Sequence, residues 1–77
     1  VSTGRQVVLY VRAGCHLCAE ARTVVAAAAP AFVEVDVDDD PALVRRYGEA
    51  VPVVTVDGRQ VGFWRIDPAR LRAALEA

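Results

Sequence analysis

The chain has 77 residues, 55% of them hydrophobic and 25% charged, with only five glycines and four prolines. This profile excludes a disordered segment and leaves room for one small domain over residues 1–77. Nine basic residues, all arginine and scattered along the chain, face ten acidic ones for a net charge of -1, so no nucleic-acid partner and no anionic membrane are expected.

Val7 to Val11 is an unbroken apolar run and reads as a strand buried on both faces. From Cys15 to Ala29 the chain is alanine-rich, with Leu17, Ala21, Val24, Val25 and Ala28 on one helical stripe, and Pro30 stops it. Phe32 to Val37 alternates as a second strand, with Val33, Val35 and Val37 on one side and Glu34 and Asp36 on the other. The acidic run Asp38-Asp39-Asp40 before Pro41 caps a short helix carrying Leu43, Val44 and Tyr47, with Gly48 at its C-terminal end. It lacks the glycine and terminal glutamate of a calcium loop. Val53 to Val56 and Gln60 to Trp64 form a hairpin around Asp57-Gly58. Asp67-Pro68 then starts a last helix with Leu71, Ala74 and Leu75, against which Trp64 is expected to pack. The order is β-α-β-α-β-β-α, an α/β fold with a four-stranded mixed sheet and flanking helices.

Cys15-His16-Leu17-Cys18 falls where the first strand gives way to the first helix. Orphan N–H groups and the positive end of the helix dipole favour an anion there, so Cys15 is the candidate nucleophilic thiolate. Arg12 and His16 are expected to add positive charge and to line the substrate site. Cys18, one turn further on, is placed to attack a mixed disulfide formed on Cys15. Val51-Pro52 opens the third strand, and a cis bond is expected there, with the Val51 backbone facing an extended substrate beside the Cys15 loop.

Other readings of the cysteines stay open on the residues alone. A structural disulfide across three residues would constrain little of the unfolded chain. A metal or iron-sulfur module would use Cys15, His16 and Cys18, yet the chain has no further cysteine or histidine, so no metal ligands are assigned. A redox-inert adaptor would need neither cysteine.

The segments Tyr10 to Cys18, Val51 to Val54 and Asp57 to Gly62 together resemble dithiol glutaredoxins and their small bacterial relatives, and the likeness covers nearly the whole chain. The resemblance implies a thioredoxin fold and a thiol-disulfide oxidoreductase. Cys15 would attack, Cys18 resolve, Arg12 be the basic residue before the active site and Pro52 the cis-proline. It implies no cofactor beyond the redox-active disulfide. Protein disulfides or small thiols would be the substrates, with glutathione or a flavoprotein disulfide reductase as donor. A monomer is expected, and a cytoplasmic address, since no secretory leader and no apolar span opens the chain.

Four residues depart from the glutaredoxin or thioredoxin pattern. His16-Leu17 replaces the usual Pro-Tyr, Gly14 stands where thioredoxins usually carry tryptophan, and Phe63 replaces the second glycine of the glutathione-binding Gly-Gly pair. Phe63 is expected to obstruct the tripeptide and weaken glutathione specificity, with Arg12 and Asp67 available as substitute contacts.

Overall fold

The apolar run Val7–Val11 (β1) lies inside the sheet of the computed structural model, which describes residues 4–76. It pairs in parallel with β2 (Val33–Asp36) on one side and antiparallel with β3 (Val53–Val56) on the other. β3 in turn pairs antiparallel with β4 (Arg59–Phe63), giving the order β2-β1-β3-β4. The helices are α1 (His16–Ala28), α2 (Pro41–Tyr47) and α3 (Pro68–Glu76), with one turn of 3-10 helix at Val37–Asp39.

Each face of the sheet buries its own cluster. Val7, Leu9 and Val11 of β1 and Val54 and Val56 of β3 meet Ala21 and Val25 of α1 and Leu71 and Leu75 of α3. On the opposite face Val37, Tyr47 and Val53 pack together, with the Tyr10 and Tyr47 rings 4.5 Å apart. Alternate residues of β1 thus serve opposite faces, as the pleat requires.

Local chemistry fixes the connections. Asp57 and Gly58 have φ values of 52° and 82°, so the two-residue turn is left-handed at both positions, the geometry that matches the twist of a hairpin. Val54 faces Gly62 but Thr55 faces Gln60, which leaves Val61 as the extra residue of a bulge in β4. The acidic run divides its work among separate tasks. Asp36 accepts from the Asp38 N–H and Asp40 from the Ala42 N–H, each at 2.9 Å, while Asp38 pairs with Arg12. Asp67 caps α3 in the same way through the Ala69 N–H at 2.9 Å.

Two expectations need correction. Val33 is 46% exposed, and β2 ends at Asp36 because Val37 already belongs to the 3-10 turn. The cause is the position of β2 at the sheet edge, where it has a neighbour on one side only. Gly48 ends α2 as expected but with φ of -54°, so it is not there for left-handed backbone. A Cβ at Gly48 would stand 2.5 Å from the Val44 carbonyl oxygen, and it is that close approach of backbone which favours glycine, with Arg12 Nη1 next at 3.2 Å.

Burial sets the expected response to truncation. Leu9, fully buried, should cost about 2–5 kcal/mol as Leu9→Ala, whereas Val33→Ala should stay within roughly 0.5 kcal/mol. Urea unfolding of the two variants beside the parent chain checks this, and equal losses would contradict the edge assignment of β2.

Candidate active site

After β1 the chain turns through Arg12 to Cys15, closed by the Cys15 N–H on the Arg12 carbonyl at 3.3 Å. Gly14 sits in this turn at φ of 81°, a conformation that a side chain would strain. Cys15 then takes the N-cap position of α1 in an extended conformation, and its side chain makes no capping bond. The sulfur is therefore left at the helix end where orphan N–H groups and the dipole favour negative charge.

Cys18 is a different kind of thiol. With Ala21 and Val25 it occupies the core-facing stripe of α1, and it is only 1% exposed. Burial pushes its thiol up from 9.0 to about 11. The hydrogen bond and charge of Cys15 push in the same direction, and a backbone hydrogen bond with Arg12 works against them. Both cysteines are free thiols, Cys15 half-buried and Cys18 buried.

The antiparallel pairing of β1 with β3 brings the second part of the site to this end of the sheet. Tyr10 faces Val53, so the chain entering β3 passes beside the turn leaving β1. Cys15 Sγ lies 3.9 Å from the Val51 carbonyl oxygen. The Val51–Pro52 peptide is cis, with Pro52 buried and Val51 half-buried.

Arg12 and His16 do not converge on the sulfur in the same way. The Arg12 guanidinium is committed to Asp38, 3.0 Å away, and to the Gly48 carbonyl at 3.3 Å. It braces the turn against the start and end of the α2 region. His16 is exposed on the first turn of α1, and its side chain makes no hydrogen bond or ion pair among the described residues.

Sequence reasoning missed the part played by Trp64. It does not pack on the last helix but is 55% exposed beside Phe63, itself 48% exposed, with ring centroids 5.2 Å apart in an edge contact. Its φ is 60°, a conformation costing a bulky residue about 1–3 kcal/mol. Three hydrogen bonds hold it there: the backbone N–H is shared between the Pro52 carbonyl at 2.9 Å and the Ala50 carbonyl at 3.2 Å, and the indole Nε1 donates to the Glu49 carbonyl at 3.1 Å. The left-handed backbone thus falls on Trp64 and not on Phe63. Only the closeness of Trp64 to an expected glycine turn hinted at this in the sequence.

Among the described residues no three His, Cys, Asp or Glu side chains gather closely enough to hold a metal ion. No helix among them is long and apolar enough to cross a membrane.

Comparison with known proteins agrees with this geometry. An uncharacterized protein of Mycobacterium tuberculosis is 35% identical, the match covering 88% of this chain and 79% of the relative. The X-ray structure of a structural-genomics target from X. campestris is 46% identical, covers 91% of this chain and 95% of its own, and superposes with a TM-score of 0.78. Glutaredoxin 1 from Francisella tularensis, solved in complex with cacodylate, shares the fold at 22% identity and a TM-score of 0.57, covering 95% of this chain and 94% of that one. The fold is thus thioredoxin-like, and the cysteine pair within it supports a thiol redox role in general. Residues 6–76 match the model of the Glutaredoxin-like domain (DUF836), and the chain belongs to that glutaredoxin-like family.

Proposed function

We propose that the protein is a dithiol thiol-disulfide oxidoreductase in which Cys15 attacks and Cys18 resolves. The Cys15 thiolate forms a bond to one sulfur of a substrate disulfide, the substrate S–S bond breaks, and the departing sulfur takes up a proton. Cys18 then gives up its proton and attacks Cys15 Sγ, which releases the second substrate thiol and closes the Cys15–Cys18 disulfide. Two electrons have passed from protein to substrate. An external dithiol, or two glutathione thiols, returns them with two protons.

The observation that carries this reading is the unlike exposure of the two sulfurs. Cys15 is within reach of solvent at a helix end, while Cys18 is buried and its thiol is pushed up to about 11. Such a thiol stays protonated near neutral pH and does not compete for substrate. Two of the influences that hold it protonated are the hydrogen bond and the charge of Cys15. The charge is gone once Cys15 is tied up in a mixed disulfide, which removes one of these influences at the step that needs Cys18, while burial persists. The Val51 carbonyl beside Cys15 Sγ supports an extended substrate backbone lying across the sulfur. Disulfide-bearing proteins and small disulfides are the substrates this arrangement suits, and the reaction needs no metal or organic cofactor.

Near neutral pH iodoacetamide should label Cys15 first. Cys15→Ser should abolish turnover of a model disulfide, and Cys18→Ser should accumulate the mixed disulfide, which mass spectrometry under non-reducing conditions detects. Preferential labelling of Cys18 would reverse the assignment.

The raised Cys18 value also makes stability depend on alkaline pH. A thiol with a raised value binds its proton more tightly in the folded than in the unfolded chain, so its contribution is complete below 9.0 and is lost as pH rises through about 11. Over that window the reduced protein should lose on the order of 2 kcal/mol more than Cys18→Ala does. Urea midpoints of the two proteins measured at steps of pH give the difference, and parallel curves would refute it.

On the donor, Phe63 stands where the resemblance to glutaredoxins places the second glycine of the glutathione site, with the exposed Trp64 ring beside it, so a flavoprotein disulfide reductase should support faster turnover than glutathione. Separate assays with each donor decide between them. Fast turnover at low glutathione, with none from the reductase, would restore glutathione as the partner.

A further inference from the structure

The exposed aromatic pair is continuous with the thiol site, because Trp64 is hydrogen-bonded to the same Ala50–Pro52 segment whose Val51 carbonyl lies against Cys15 Sγ. The indole N–H is already satisfied by the Glu49 carbonyl, so what Trp64 turns to solvent is apolar ring, fixed in place at both ends. Phe63 extends this surface and also lines a shallow pocket of about 150 Å³ formed with Gln60, Val61, Gly62 and Arg70. Arg70 is exposed and has no ion-pair partner among the described residues.

From this juxtaposition we infer that Phe63 and Trp64 form a specificity surface for polypeptide disulfides, taking an aromatic or aliphatic side chain adjacent to the substrate half-cystine, with an acidic residue beyond it reaching Arg70. The inference rests on the disulfide-exchange reading and names the substrate class for it. A rigid ring pair binds an apolar side chain with little ordering of its own, since the hydrogen bonds of Trp64 have immobilised it beforehand. The unpaired guanidinium at the far side of the Phe63 pocket supplies the charge complementarity, and it sets the direction in which the substrate runs along β4. Tripeptide thiols have no apolar residue to offer this surface.

The test mixes the pre-reduced full chain with three short peptide disulfides and follows the second-order rate of protein oxidation by quenched alkylation. One peptide carries Phe next to the half-cystine with Glu beyond it, the second has Ser in place of Phe, and the third Gln in place of Glu. The parent should prefer the Phe peptide over the Ser peptide by about fivefold or more, and the Glu peptide over the Gln peptide by a smaller factor that salt erodes. Trp64→Gly keeps the backbone N–H and suits the left-handed conformation, so it should fold while the Phe/Ser ratio falls toward one; Arg70→Gln should erase only the Glu/Gln ratio. Phe63→Ser, in regular strand, provides an independent reading of the Phe/Ser ratio.

Equal slowing of all peptides by Trp64→Gly would make the ring a structural latch and overturn the inference. A Trp64-dependent dimer at assay concentrations would overturn it too, by giving the surface to a second copy. Oxidation of the parent by all peptides without preference would sink the specificity surface and leave the exchange chemistry standing. Failure of any disulfide to oxidise the parent would sink the exchange chemistry itself, and the inference with it.

Discussion

Val53 is paired twice, with Tyr10 on one side and with Phe63 on the other, and that row of the sheet assembles the site. The pairing with Tyr10 sets the entrance of β3 beside the exit of β1, which is what brings the Val51 carbonyl to Cys15 Sγ. The pairing with Phe63 ends β4 at the same level, so that Trp64 closes on the segment just before β3. A one-residue slip in either ladder would turn every side chain of a strand to the other face. Such a slip is opposed by burial, since Val53 and Val54 are both fully enclosed but in different clusters. Registration of the sheet and construction of the site are therefore the same event.

Within that frame the charge at the site comes from backbone more than from side chains. Arg12 is adjacent to the cysteine turn in sequence, yet its guanidinium is neutralised by Asp38 and occupied by the Gly48 carbonyl. It works as a brace between the end of β1 and the α2 region, and the absence of a side chain at Gly48 makes room for it. The positive end of α1 remains directed at Cys15, and a dipole of this kind cannot be withdrawn by a competing ion pair. An exposed pair such as Arg12–Asp38 contributes little to stability by itself. Its place at the junction of the turn and the helix gives it a positional role.

Much of this was readable from short-range pattern. The Asp57-Gly58 hairpin, the aspartate caps before Pro41 and Pro68, and the strand-to-helix setting of Cys15 depend on residues within a few positions of one another, where backbone sterics and capping chemistry decide the outcome. The burial of Cys18 was also present in the spacing of 18, 21 and 25, although the stripe drawn from Leu17 passed it by. What the sequence did not disclose depends on distant partners. Val33 is exposed because β2 is an edge strand, a fact of sheet order. Asp38 lies 26 residues from Arg12, and Gly48 lies 36 from it. Trp64 has its indole partner 15 residues back, and nothing in its neighbours specified a left-handed backbone.

The left-handed backbone at Trp64 carries a penalty that a bulky residue ordinarily avoids. A turn beside the cis-proline segment calls for positive φ, and glycine supplies it at no steric penalty. Here the same turn is held by a bulky residue whose penalty is offset by hydrogen bonds to Glu49, Ala50 and Pro52. Two of those acceptors engage the backbone N–H, which every residue but proline carries, so they do not explain why the side chain is tryptophan. Only the bond to Glu49 uses the indole, and a hydrogen bond of this sort contributes roughly 1 kcal/mol, no more than the strain it opposes. The edge contact with Phe63 adds to that balance, and the ring places a large apolar face in solvent at the rim of the thiol site.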